Sequence, residues 1–276
     1  MDIENGLGFS IETLAEAFGR CFEGYVIPIQ LPGVVLGELA MRDTLDLASS
    51  QIAVENSEIV GMLLVNRRGR ECRVAAMAVA PSHRATGVGS ELMTRMLQTS
   101  AERGDDSIVL EAIESNTGAI RFYERFGFTV QCRLIGASRS LAAGDAGRFR
   151  EVRFEEMARA ALGRDESGTP WEMRGATVAQ MATPTRAFAV DGLYSAVFPT
   201  ENGELVTRSM LLSGEDDETK LRQLLRGLEP IFPGRKFRVP IYFPEPVFGS
   251  LFEADGFEFA SLAQVLMTRL ASSDCI

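Results

Sequence analysis

The stretch Val79-Ala80-Pro81-Ser82-His83-Arg84-Ala85-Thr86-Gly87-Val88-Gly89-Ser90 has the composition of an anion cradle. Gly87 and Gly89 let main-chain N–H groups turn toward a ligand with no Cβ in the way. The helical run that follows adds unpaired donors and the positive end of its dipole. Arg84 brings a charge that can approach phosphate oxygens, and no acid stands between Pro81 and Ser90 to cancel it. A diphosphate suits such a loop. A Walker A loop would need Gly-Lys-Ser/Thr, which is absent, and a dinucleotide fingerprint would need three glycines and a later ribose-binding acid. Taken alone, the string also reads as a plain glycine-rich turn.

The elements that must hold this loop are legible in the patterning. Apolar residues at Leu14, Ala17, Phe18, Cys21 and Phe22 mark a helix over Ser10 to Phe22 with Ser10 as its N-cap, and a second helix is expected from about Val34 to Leu47. Gln51 to Val54, Ile59 to Asn66 and Cys72 to Ala80 read as an antiparallel meander. After the loop, Leu92, Met93, Met96 and Leu97 share one face of a helix over Ser90 to Arg103, stopped by Gly104. Ile108 to Ile113 reads as a buried strand, Asn116 to Phe126 as a helix ending at Gly127, and a closing strand starts at Phe128.

Two motifs now stand in order. V-x-P followed by R-x-x-G-x-G spans Val79 to Gly89, and Asn116, Ala119, Phe122-Tyr123 and Gly127-Phe128 form N-x-x-A-x-x-F-Y-x-x-x-G-F. Together they resemble the GNAT superfamily of N-acetyltransferases, closely over about residues 10 to 139 and more loosely beyond. The resemblance implies an α/β (α+β) fold built as two acyl-CoA N-acyltransferase domains, each a mixed, mostly antiparallel central sheet flanked by helices. It implies acetyl-CoA as cosubstrate. The main chain of Met77, Ala78 and Val79 would pair with the pantetheine arm, and Arg84, Ala85, Thr86, Gly87, Val88, Gly89 and Ser90 would hold the diphosphate. Asn116, Ala119 and Phe122 would complete the cofactor side.

Direct transfer to an amine requires removal of a proton from nitrogen, support of a developing oxyanion and protonation of the departing thiolate. Tyr123 is the natural acid: an unperturbed phenol has a pKa of about 10, is protonated at neutral pH, and has this role in the family it resembles. The Val79 N–H is the expected oxyanion donor. The base is open. Arg73 stands where some relatives carry Glu; Glu71 lies two residues earlier on the same strand face, and Glu111 and Glu114 lie on the next strand and its exit. Glu111 leads, since a charge within an apolar run needs a reason. Water or the Ile276 carboxylate are the other choices. His83, the only histidine, is expected at the surface, and Trp171, the only tryptophan, in packing.

The chain repeats itself. Phe122-Tyr123-Glu124-Arg125-Phe126-Gly127-Phe128 is echoed by Leu251-Phe252-Glu253-Ala254-Asp255-Gly256-Phe257, and Phe188 to Leu212 follows the meander plan of Gln51 to Ala80. The expected domains are 1–140, catalytic, and 148–276, a degenerate copy opening with a helix near Phe154 to Leu162 and carrying a further helix from about Thr219 to Leu228. In the copy, Ser213-Gly214-Glu215-Asp216-Asp217-Glu218 replaces the cradle, Phe252 replaces Tyr123 and Glu245 replaces Asn116. A like-charge pair about 4 Å apart costs on the order of 4 kcal/mol at an effective dielectric of 20, so this acidic loop should reject a diphosphate. The copy is expected to wall the acceptor cleft and form an internal pseudo-dimer interface.

A length of 276 residues accommodates two domains, and a net charge of −10 opposes a nucleic-acid partner. No apolar run reaches the roughly 18 residues of a membrane helix, and an acidic start argues against a secretory leader, so a cytoplasmic protein is expected. The four cysteines, scattered without C-x-x-C, suggest reduced thiols and no metal site. The expected activity is acetyl transfer to a small-molecule or peptide amine by a monomer or homodimer. A non-catalytic acyl-CoA sensor and a tandem-domain thiol-pathway synthase are the alternatives.

Overall fold

The structure is a computed structural model describing residues 1–26, 31–162, 168–181 and 183–271. Its contacts divide the chain into two compact units that are interleaved rather than consecutive: Met1–Glu111, Asn116–Thr129 and the chain from Met267 form one, and Ala112–Ser115 with Val130–Leu266 the other.

In the first unit β1 (Asp2–Asn5), α1 (Ile11–Cys21) and α2 (Gly33–Asp43) precede an antiparallel meander, β2 (Gln51–Glu55), β3 (Glu58–Arg68) and β4 (Glu71–Val79). A 3-10 turn at Pro81–His83 leads to α3 (Val88–Arg103), then β5 (Ser107–Ile113), α4 (Thr117–Arg125) and the start of β6 (Thr129–Ser140). The sheet order is β1-β2-β3-β4-β5, antiparallel except for the parallel β4–β5 pair. Ser10 caps α1 by accepting from the Thr13 N–H at 3.1 Å, as its type suggests. α2 is shorter than the pattern proposed, because Thr44 closes it in the left-handed conformation (φ 60°) and Leu45 turns away to bridge Asn66. Leu14, Ala17, Phe18 and Cys21 pack α1 on Ile52, Met62 and Leu64 of the sheet. Leu92, Met93 and Met96 of α3 are fully buried, each contributing roughly 2 kcal/mol of apolar transfer. Helices thus flank a mixed sheet.

The second unit repeats the plan. β7 (Arg150–Val152), α5 (Phe154–Leu162) and α6 (Gly175–Ala179) lead into β8 (Arg186–Val190), β9 (Leu193–Pro199) and β10 (Glu204–Leu211). Then come α7 (Asp217–Leu228), β11 (Lys236–Pro244), α8 (Glu245–Ala254), β12 (Glu258–Phe259) and β13 (Gln264–Leu270). Its order is β6-β11-β10-β9-β8-β7, with β12 beside β6. The meander, helix, parallel strand and helix of the first unit recur in order, and the core is aromatic, with Phe188, Phe237, Phe243 and Phe252 fully buried. β5 and β13 each have an end in both units. No helix among the described residues is long and apolar enough to cross a membrane.

Candidate active site

β4 and β5 pair in parallel only from Glu71↔Ser107 to Val74↔Leu110. On the other side of β4 the register to β3 shifts between Val74 and Ala76, so Ala75 is an extra residue in a bulge. A bulge bends its strand and increases the local twist. The ladder to β5 ends where the bulge begins, and Ala75 to Val79 keep β3 as their partner while turning their other edge away from β5. That edge holds main-chain N–H and C=O groups in the array an extended amide-bearing chain needs. The sequence-proposed pairing residues Met77, Ala78 and Val79 lie on it.

The edge leads straight into the loop. Ala85 (φ 62°) and Gly87 (φ 98°) adopt left-handed conformations, and Gly87 stands as the N-cap of α3 without a side-chain cap. Alternating handedness turns successive N–H groups toward one side, and the first helical turn adds N–H groups that have no intrahelical partner. No atom lies within 4 Å of where a Cβ on Gly87 would stand, so the cradle is open there. At Gly89 a Cβ would meet Met77 Cε at 3.3 Å, with Val79 and Phe122 side chains just beyond. This close approach ties the loop to β4 and α4. Thr86 stiffens the turn by donating its hydroxyl to the His83 carbonyl at 2.7 Å.

Arg84 lies in the loop, and its guanidinium is engaged by main-chain carbonyls. Nε donates to the Val79 carbonyl at 3.0 Å, and Nη2 donates to the carbonyls of Cys21, at 3.2 Å, and Glu23. His83 pairs with Glu55 at 3.0 Å, away from β4's open edge.

Asn116 caps α4 by accepting from the Ala119 N–H at 3.1 Å, which gives both motif residues a structural reason. Phe122 and Tyr123 meet edge to face at 5.4 Å between centroids, and Tyr123 also meets Phe128 at 5.9 Å. Burial raises the Tyr123 phenol above its ordinary range, and neighbouring Tyr25 raises it further. Tyr25 is a neighbour of these residues that the sequence reading did not single out. It follows α1, packs edge-on against Phe22 at 5.3 Å, and shares a side-chain hydrogen bond with Asn116; burial raises its phenol, and that bond opposes the rise. Its only sequence signal was an aromatic beside a glycine just past a helix end. Its place beside Tyr123 depends on tertiary packing.

The candidate bases do not assemble. Glu111 is deeply buried and bound to Arg73, whose Nε lies 2.8 Å from its carboxylate, so the charge in the apolar run is explained by a cation on the neighbouring strand. Glu71 begins β4 and so stands about 25 Å along the strand from Val79. Glu114 is bound by Arg133 at 2.9 Å. Ile276 lies outside the described residues. Trp171 is fully buried, under the Arg174 guanidinium at 4.9 Å, as its packing role requires.

The second unit keeps the frame with different residues at the corresponding positions. β10 and β11 pair in parallel only from Glu204 to Val206, and β10 bulges at Arg208. There, Tyr242 of β11 reaches across and donates to the Arg208 carbonyl at 3.0 Å. In the acidic loop the Asp217 carboxylate accepts from the N–H of Ser213 at 2.8 Å and of Gly214 at 3.0 Å, and from the Ser213 hydroxyl at 2.7 Å. An internal anion therefore engages the loop amides.

A split mixed sheet, a strand edge turned from its neighbour and a glycine loop opening a helix characterise the first unit. The acetyltransferase (GNAT) family profile matches residues 13–128. N-alpha-acetyltransferase 30 of Schizosaccharomyces pombe is 32% identical over 90 residues, 31% of this chain and 60% of that protein. N-alpha-acetyltransferase MAK3 of Arabidopsis thaliana is 39% identical over 61 residues, 22% of this chain and 32% of that one. The chain thus spans less than two thirds of either relative. Among solved structures, a tandem GNAT protein of the clavulanic acid biosynthesis pathway, solved without AcCoA, aligns with 99% of this chain and all (100%) of its own, at TM-score 0.64 and 16% identity. A GCN5-related N-acetyltransferase from Sphaerobacter thermophilus aligns over 98% and 95%, at TM-score 0.65 and 16% identity. Residues 13–128 thus match the acetyltransferase (GNAT) family, and the whole chain has the GNAT-type fold.

Proposed function

We propose that the first unit transfers an acetyl group from acetyl-CoA directly to an amine, and that the preferred acceptor is an α-amine such as a peptide N-terminus. The observation that carries the reading is the edge of β4 from the Ala75 bulge to the left-handed turn at Gly87, which no described strand pairs and on which Arg84 holds the Val79 carbonyl. The edge at Met77–Val79 offers main-chain partners to the amides of a pantetheine arm, and the N–H groups from Ala85 to Ser90 offer a grip on the diphosphate.

Tyr123 is the proton donor to the departing thiolate. Its raised phenol keeps the proton at any physiological pH and releases it only as negative charge develops on sulfur. The Val79 N–H, at the end of the open edge, supports the oxyanion. With Glu111 held by Arg73, the acceptor's own acidity decides how it is deprotonated. An α-amine has a pKa of about 7.7–8.0 and is appreciably neutral at pH 7.5, whereas a lysine amine near 10.4 is neutral in roughly one molecule per thousand. An enzyme that leaves deprotonation to water therefore favours the α-amine. The two N-alpha-acetyltransferase relatives agree with this choice.

Calorimetry with acetyl-CoA, followed by thiol release over a panel of peptides and of lysine-blocked and N-terminally blocked variants, tests the proposal. Expected are binding and turnover that needs a free N-terminus, with a rate rising through about pH 8 as the acceptor loses its proton. Tyr123→Phe should lower kcat about 10²-fold or more and spare acetyl-CoA affinity; unchanged kcat refutes the acid role. The Glu111–Arg73 pair also favours a second reading, an acyl-CoA sensor. Binding without turnover on any amine would select it.

A further inference from the structure

The Arg84 guanidinium joins three main-chain carbonyls from two parts of the first unit. Val79 ends β4 at the mouth of the cofactor loop; Cys21 ends α1, and Glu23 lies in the turn that carries Tyr25. Gly24 lies against the same guanidinium, its Cβ position 3.7 Å from Nη1. Within the turn the Tyr25 N–H donates to the Phe22 carbonyl at 3.0 Å and the Glu23 N–H to the Arg20 carbonyl at 3.3 Å, both local. Among the described residues its longer-range ties include Arg84 and the Tyr25 side chain, which hydrogen-bonds Asn116 and whose phenol acts electrostatically on that of Tyr123.

We propose that Arg84 is a positioning residue that couples the two substrate sites: grip on the diphosphate by the loop after Arg84 rigidifies the turn Phe22–Tyr25 through the guanidinium, and so sets Tyr25 beside Tyr123 for the acceptor. The inference rests on acetyl-CoA binding at residues 85–90. Physically, a loop whose N–H groups hold a ligand loses its own freedom, and any segment hydrogen-bonded to that loop pays less to become ordered. A planar guanidinium with donors in a fixed fork transmits that order because it fixes both distance and angle to its acceptors. Acetyl-CoA should therefore bind before the acceptor, and acceptor affinity should rise once it has. The rival is that the guanidinium leaves the carbonyls and swings onto phosphate oxygens.

Amide hydrogen exchange on the full chain, with and without saturating acetyl-CoA, separates these. In the wild type acetyl-CoA is expected to slow exchange at residues 85–90 and, by about fivefold or more, at Glu23 and Tyr25. In Arg84→Gln, and in Arg84→Lys as a second variant that keeps the charge but not the fork, protection at 85–90 should persist while the ligand-dependent part at Glu23 and Tyr25 is lost. Acetyl-CoA affinity should stay within about threefold, and the KM for a peptide acceptor should rise about tenfold or more. A merely structural role would speed exchange at Glu23 and Tyr25 equally with and without ligand, which overturns the coupling. So does a ligand effect at Glu23 and Tyr25 that survives in both variants. An acetyl-CoA affinity loss beyond about tenfold in both variants would make Arg84 a phosphate ligand and also overturn it. Wild-type protection at 85–90 without any at Glu23 and Tyr25 refutes the coupling without need of a variant. Absence of protection at 85–90 itself removes the underlying cofactor reading as well.

Discussion

Gly87→Ala isolates the backbone geometry of the cradle from everything else in it. Gly87 sits at φ 98°, and no atom lies within 4 Å of its Cβ position, so an added methyl meets no neighbour and the whole effect is conformational. A left-handed conformation costs an L-residue about 1–2 kcal/mol. Two limits follow. If Thr86, Val88 and the start of α3 hold the loop rigidly, the strain is present in the free protein, and urea unfolding should show a loss of about 1–2 kcal/mol with unchanged acetyl-CoA affinity. If the loop relaxes in the free protein, stability is unchanged and the strain returns on binding, weakening acetyl-CoA about 5- to 30-fold. Intermediate cases divide the same total between the two measurements. The assay is paired: urea unfolding for the first part and calorimetry with acetyl-CoA for the second, with Gly87→Asn, which tolerates the left-handed region, expected to lose about half as much. Should both quantities stay within about 0.3 kcal/mol of wild type, the cradle does not depend on this turn and the diphosphate assignment falls.

Cys72 is expected to report the alkaline limit of the first unit. Burial first, and then the Asp105 carboxylate 3.2 Å from its sulfur, push its thiol up to about 12. Because the folded chain keeps this proton where the unfolded chain releases it near pH 9, stability is intact below pH 9 and falls at up to about 1.4 kcal/mol per pH unit between pH 9 and 12. Urea unfolding of Cys72→Ala across that window should lack this component, and an equal slope would contradict it. Breaking the buried pair with Glu111→Gln should cost about 3–5 kcal/mol, with Arg73→Met/Glu111→Leu recovering most of it; a small loss in the single variant would reopen Glu111 as a free carboxylate. Calorimetry should find one acetyl-CoA per chain, and a second site would contradict the internal anion at Asp217. Asp217→Ala should lower stability by about 2 kcal/mol through its loop amides, measured by urea unfolding.

Much of this molecule was legible before any coordinates. Local chemistry marked Ser10 as a cap, the period-two runs as the meander, and a glycine turn between strand and helix, because caps, turns and alternation depend on residues within a few positions of each other. The internal repeat was visible for the same reason: order and spacing survive when side chains drift. Three things were beyond reach. Arg84 looked like a phosphate ligand because a charge beside glycines says nothing about which carbonyls its long side chain will find, and those of Cys21 and Glu23 come from far upstream. Glu111 looked like a base until Arg73 on the adjacent strand accounted for its burial. Tyr25 carried almost no sequence signal, yet its phenol acts on that of Tyr123. A single sequence therefore determined the elements and marked the candidate cradle. Which charges are paired, and which aromatic faces the proposed acid, was decided by the packing of segments distant in the chain, where burial and hydrogen bonding set the energies.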